Sequence, residues 1–137
     1  MVGFKVHYYF YEAGGGDFLF SFFSTVAVNL EKGKWGSRFP CIMRGLYTGK
    51  LEPRFIKMAL AELGQIREEL KAFPPASVVW DAKDLSKRPP WGDDISDDIT
   101  DLSNYFVTSS GEDFIDVLET ALLKAAEMKQ SIEIFSM

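Results

Sequence analysis

An apolar stripe bracketed by prolines constrains this chain more than any other feature. Phe55, Ala59, Leu63, Ile66 and Leu70 recur at three- and four-residue spacing, which marks one face of a helix. Pro53 suits the first turn, and Pro74-Pro75 ends the helix. The spacing therefore predicts a helix over Pro53–Phe73 whose apolar face must be buried against other elements. Two more stripes offer that cover. Leu19, Phe22, Phe23, Val26, Ala27 and Leu30 predict a helix over Phe18–Glu31, with Asp17 near its start as a cap and Gly33 as its stop. Phe114, Leu118, Ala121, Leu122 and Ala125 predict a helix over Glu112–Lys129. Its acidic start at Glu112 and Asp113 and basic end at Lys124 and Lys129 agree with the helix dipole.

Strand character lies between and around these helices. Gly3–Tyr11 alternates and is rich in Val, Phe and Tyr, and Gly14-Gly15-Gly16 follows as a flexible turn. A short strand is expected around Cys41–Tyr47, with a turn at Gly49, although Pro40 argues against a central strand through that point. Ser77–Asp81, Asn104–Thr108 and Ser131–Ser136 read as three more strands. Ala82–Asp94 is a long loop, and Ile95, Ile99 and Leu102 suggest a short helix over Ser96–Ser103. The sum is an α+β fold with a small, mostly antiparallel sheet packed with three main helices. At 137 residues the chain has the usual size of one domain, so residues 1–137 are read as a single unit, without repeat or linker. A composition that is 47% hydrophobic, with twelve Phe, supplies a core without disulfide or metal support.

Charge and cysteine content narrow the function. Net charge is −5, and residues 93–137 carry eleven acidic side chains against two basic ones. An acidic face of this kind is either solvated or holds a basic partner. No basic stripe with stacking aromatics is visible, which argues against nucleic-acid binding. Cys41 is the single cysteine and fits a small buried thiol in a reducing cytoplasm. Met1–Phe10 lacks the pattern of a signal peptide, and no apolar run is long enough for a membrane span.

The residues that carry chemistry elsewhere are sparse. The glycine triplet matches no phosphate-binding pattern. His7, the only histidine, lies among aromatics in the first strand and reads as structural. A hydrolase would have to combine it with Asp81 or Asp84, and no Ser sits in a nucleophile elbow. No catalytic residue and no cofactor are implied.

Asp93, Asp94, Asp97, Asp98 and Asp101 fall within nine residues that contain no Lys or Arg. On the expected short helix, Asp94, Asp97, Asp98 and Asp101 share a face. Three readings stay open: a solvated, dipole-favoured helix start, a partner surface, or a cation site. The spacing does not match a calcium loop. Beside the cluster, Pro89-Pro90-Trp91-Gly92 stiffens the backbone around a large apolar side chain. Trp91 is either a rigid anchor for a partner or a lid folded back on the core.

Taken in order, Trp35-Gly36-Ser37-Arg38-Phe39-Pro40, Leu46-Tyr47-Thr48-Gly49-Lys50-Leu51, Val79-Trp80-Asp81, Pro89-Pro90-Trp91-Gly92 and Asn104-Tyr105-Phe106-Val107-Thr108 with Gly111 resemble the immunity protein 70 family of bacterial polymorphic-toxin systems. The resemblance runs over nearly the whole chain. It implies a non-enzymatic, cytoplasmic antidote that binds a cognate protein toxin domain, and it supplies no catalytic residues. The partner-binding candidates are then Trp91, Asp93, Asp94, Asp97, Asp98 and Asp101. The competing expectation is a small-molecule-binding or regulatory domain with a pocket near Trp80, Trp91 and Tyr105. Oligomeric state and the identity of the toxin are open at this stage.

Overall fold

The computed structural model describes residues 1–137. Four strands and three long helices form the expected α+β domain. In chain order they are β1 (Val2–Val6), β2 (Tyr9–Gly14), α1 (Gly16–Leu30), β3 (Lys50–Leu51), α2 (Ile56–Leu70), α3 (Phe114–Met128) and β4 (Ile132–Ser136). The sheet order is β2-β1-β4-β3, with every pairing antiparallel.

The single strand expected over Gly3–Tyr11 is a hairpin. Val6 pairs with Tyr9, so His7 and Tyr8 form the turn, with His7 in the left-handed region at φ 54°. The aromatic run has no Asn-Gly or Asp-Gly to announce this turn. Alternation is retained along both arms. Phe4 and Val6 are fully buried, while Lys5, Phe10 and Phe135 share the opposite face, where the Lys5 ammonium lies 4.5 Å from the Phe135 ring centre.

α1 and α3 sit within two residues of their expected bounds at each end, and α2 is shorter than expected by three residues at each end. The α1 cap position is Gly15, and Asp17 lies in the first turn without a capping bond. Gly33, at φ 79°, returns its N–H to Ala27 O at 2.8 Å and stops the helix. At α3 the cap is Asp113, whose Oδ1 accepts the Asp116 N–H at 3.0 Å. The stripe of α2 buries Ile56, Ala59, Leu63, Ile66 and Leu70, with Phe55 only half-buried in a preceding 3-10 turn. Aromatic edges knit α1, α3 and the sheet, with Phe22 4.5 Å and Phe4 5.8 Å from the Phe114 ring.

Four smaller expectations are corrected. Cys41–Leu46 is a π-helical turn, not a strand. The Glu62 carboxylate accepts the N–H groups of Cys41 and Ile42 at 3.2 and 2.9 Å, so a neighbouring helix caps the turn. The apolar run Cys41-Ile42-Met43 is too short for periodicity to separate a buried strand from a helical turn. Ser77–Asp81 joins no sheet: Ser77 closes a 3-10 turn, Val78 is extended and Trp80 is a bend. Asn104–Thr108 contributes only an isolated bridge, Val107 to Asp113. The helix expected over Ser96–Ser103 is a chain of turns. Its polar side chains take the backbone N–H groups that a helix would use: Asn104 Oδ1 accepts from Thr100 and Asp101, and Asp101 Oδ1 accepts from Ser103. Leu102 is still fully buried.

Buried Glu31 organises the loop after α1. Its carboxylate accepts the N–H groups of Gly36, Arg38 and Phe39 at 2.9–3.1 Å. Cys41 is buried as expected, and burial pushes its thiol up to about 11, assisted by the Glu62 charge. At that value it is a poor nucleophile at neutral pH.

Candidate functional site

The segment from Ala76 to Thr108 is fastened to the helices by polar side chains. Ser21, Ser24 and Thr25 are fully buried on α1. Ser21 and Thr25 hydroxyls donate to Val79 O at 2.8 and 3.1 Å, and Thr25 Oγ1 accepts the Val79 N–H at 3.0 Å. Asn29 donates to Ser77 O, and Ser24 accepts from the Ala82 N–H. These groups satisfy a segment of chain that has no sheet partner. They form a polar stripe at i, i+3, i+4 and i+8 on a helix otherwise read for its apolar face. That stripe was the signal in the sequence, and apolar periodicity passes over it.

This fastening sets the position of Trp80, and Trp80 sets that of Trp91. The two indoles meet edge to face at 5.4 Å. On its other side, the Trp91 Nε1–H donates to the Tyr105 hydroxyl at 2.8 Å. Tyr105 is buried, and burial raises its hydroxyl above the ordinary range, opposed by the Trp91 bond and reinforced by Asp93. The phenol stays protonated and neutral around pH 7. Trp91 thus packs back on Trp80 and Tyr105 and remains 39% exposed.

Two open grooves flank this aromatic group. One, of about 370 Å³, lies between Pro75, Val78 and Pro89, with Arg88 and Asp93 supplying charge. The other, of about 250 Å³, runs from Trp91 to Phe18 and Val107, with Asp94 and Ser96 among its walls. Tyr105 belongs to both. Of the three residues expected around one pocket, Tyr105 lines both grooves, Trp91 lines one and Trp80 lines neither.

The aspartates do not share a helical face, because the short helix is absent. Asp93, Asp94, Asp97 and Asp98 are exposed, and none has a Lys or Arg nitrogen within 4.0 Å. Asp101 differs in being half-buried. Partial burial works against its charge, but hydrogen bonds from Ser103 and Thr100 outweigh that and hold the carboxyl below its usual range. It serves the turn it lies in. No three of the His, Cys, Asp or Glu side chains stand close enough together to hold a metal ion.

The hydrolase pairing is not assembled. His7 is exposed at the hairpin turn, where it lines a polar depression with Lys5, Lys50 and Glu133, and neither Asp81 nor Asp84 belongs to that depression. Asp81 instead lies 3.4 Å from Lys87 and accepts the Lys83 N–H, and Asp84 holds Ser86. Both are turn-forming carboxylates. Sequence reasoning also missed a third aromatic hollow formed by Phe20, Trp35 and Tyr47, whose Trp35 and Tyr47 rings lie 4.9 Å apart.

No helix is long and apolar enough to cross a membrane. Among known proteins, residues 4–134 match the family described as Immunity protein 70. No curated protein and no solved structure matches the chain.

Proposed function

Because the chain belongs to the immunity protein 70 family, we propose that it is a non-enzymatic cytoplasmic antidote that binds and neutralises the toxin domain of a bacterial polymorphic-toxin system. The proposed contact surface is Trp91 with Asp93, Asp94, Asp97, Asp98 and Asp101. One observation carries this placement: Trp91 is pinned between Trp80 and the Tyr105 hydroxyl while more than a third of it stays exposed. A side chain already fixed loses little entropy on binding, and Trp is enriched among the residues that dominate interfaces. Four unpaired carboxylates beside it favour a partner with basic surface. A nuclease must carry such surface to meet phosphates, so it is the toxin class that fits best.

Co-expression with a candidate toxin domain taken from a neighbouring gene tests the role, and titration of the purified pair tests the surface. Trp91→Ala should weaken binding by about 30-fold, the effect of losing roughly 2 kcal/mol at an interface anchor. Asp97→Lys with Asp98→Lys should slow association at low salt and reduce protection. A double variant that binds and protects like the wild type at low salt rules out the acidic surface.

The groove with Arg88 and Asp93 at its margin supports a second reading, a small-molecule-binding or regulatory domain. That reading predicts a ligand whose saturable binding is abolished by Arg88→Ala and which leaves Asp97→Lys unaffected.

A further inference from the structure

β2 has one free side. Met137 N–H donates to Met1 O at 2.9 Å, so the Met1 backbone faces β4. Alternation along β1 then turns Gly3 and Lys5 toward β4, and Val2, Phe4 and Val6 toward β2. Their partners on β2, Tyr11 opposite Phe4 and Tyr9 opposite Val6, are spent on β1. Phe10 and Glu12 point their N–H and C=O groups outward, and neither makes a backbone hydrogen bond outside the sheet. Cover arrives only at the far end, where Ser109 N–H reaches Ala13 O at 3.2 Å.

Proteins usually blunt such an edge with Pro, Lys or a covering element. Tyr9–Glu12 has neither residue. It is three aromatics and one carboxylate, well suited to strand pairing. A groove of about 380 Å³ runs beside it, between β2 and the first turns of α3, and contains Glu12, Glu112 and Asp116 with Tyr11 and Val117. Arg67 lies 2.8 Å from Asp116. Glu12 and Glu112 meet only hydroxyls, from Ser109 at 2.7 Å and Ser110 at 3.3 Å.

We propose that an extended segment of the toxin bearing Lys or Arg adds to β2 as an outer strand, its backbone bonded to Phe10 and Glu12 and its basic side chains set against Glu12 and Glu112. The proposal rests on the immunity reading and names how the partner is gripped. Backbone pairing supplies affinity, and the acidic groove supplies selectivity. The surface continues that of Trp91: Val107 lines the Trp91 groove and Ser110 lines this one, three residues along the same loop. A second copy of this chain is the poorer occupant, since antiparallel β2–β2 pairing brings Glu12 of one copy to the acidic groove of the other.

The test is amide hydrogen exchange on the wild-type chain, free and with the same purified toxin domain, together with a Glu12→Lys, Glu112→Lys double variant. Both substituted side chains are exposed, and because Glu112 lies at the favoured acidic start of α3, the variant's melting is measured beside the wild type's so that lost stability is not read as lost binding. The expected result is exchange at Phe10 and Glu12 slowed at least about tenfold in the complex, with binding of the variant weakened about tenfold at low salt. A complex that leaves both amides exchanging as in the free chain overturns the strand addition while the immunity role stands. A wild-type chain that neither binds nor protects overturns the immunity role, and the strand addition falls with it. Protection already present in the free chain at dimer mass assigns the edge to a second copy and overturns the proposal.

Discussion

Leu63 in α2 and Val79, beyond the 3-10 turn that follows that helix, are held by different forces. Leu63 belongs to the fully buried core, where its position is set by apolar contact on all sides. Val79 is half-buried, and its N–H and C=O are held by Thr25 and Ser21 of α1. The same contrast separates two regions. Residues 1–30, 50–70 and 114–137 are mostly strands and helices closed over one apolar cluster, and the loop between the first two stretches is organised by the Glu31 and Glu62 carboxylates. Residues 71–113 contain no long element and are tied down by polar side chains. Apolar burial fixes a shape without fixing each peptide. Side-chain hydrogen bonds fix individual peptides and leave the rest of the surface free. The proposed Trp91 contact lies in the second kind of region, which presents exposed side chains on a backbone that does not wander.

The sharpest way to break this comparison is in the core. Leu63→Ala should destabilise the whole domain by about 2–5 kcal/mol through lost burial and a residual cavity. Urea unfolding followed by circular dichroism should show a lower midpoint with an unchanged slope, and exchange should quicken at slow amides in every helix. A loss confined to α2 would mean that the core is not one cooperative unit.

Thr25→Val comes next. The shapes match, but the Val79 N–H loses its only acceptor, at a cost of about 1–3 kcal/mol. The expected signature is local: amides from Ser77 to Ala82 exchange faster, while those of α2 and α3 follow only the global change. If Thr25→Val and Leu63→Ala accelerate the same amides alike, the two regions are one cooperative unit and the distinction between them disappears.

The same division decides what was readable in advance. All three helices were legible because their stripes are long enough for period to outweigh propensity. Phe22, Phe23 and Val26 sit in α1 although such residues favour strands. Shorter stretches gave period nothing to resolve. Cys41–Leu46 is a π-helical turn whose apolar run is too short for period to classify, and the deciding group, Glu62, lies on another helix. Ser77–Asp81 was read as a strand, but it opens from a 3-10 turn, and hydroxyls of α1 hold the Val79 peptide groups that a neighbouring strand would have paired. The Ser96–Ser103 helix was lost to its own Asp, Ser and Asn side chains, a competition that composition announces. At the candidate site, the stiff Pro-Pro-Trp-Gly loop and its aspartates were visible. Trp80, Trp91 and Tyr105 were grouped around an expected pocket, but the hydrogen bond by which the Tyr105 hydroxyl fixes the indole was not legible, because a one-dimensional pattern does not orient two side chains.

The smallest effect separates two aspartates, one within the irregular segment and one at the cap that closes it. Asp101 has its carboxyl lowered: burial opposes the charge, and the Ser103 and Thr100 hydrogen bonds overcome it. A folded value below the ordinary one of about 3.9 adds stability at neutral pH and surrenders it as pH falls through that lowered value. Asp113 has its carboxyl raised, chiefly by burial, with the Asp116 charge helping and the Asp116 N–H bond opposing. Its contribution has the opposite sign: it is fully present below about 3.9 and is lost as pH rises through the raised value. Asparagine keeps the shape and the accepting oxygen at both positions and removes the titration. In urea unfolding at about pH 7 and about pH 3, the advantage of wild type over Asp101→Asn should shrink on acidification, and that over Asp113→Asn should grow. If both advantages grow on acidification, the turn around Asp101 does not hold its carboxylate by those hydrogen bonds, and polar side chains do not fix this segment as they fix Val79; if both shrink, burial does not raise the Asp113 carboxyl.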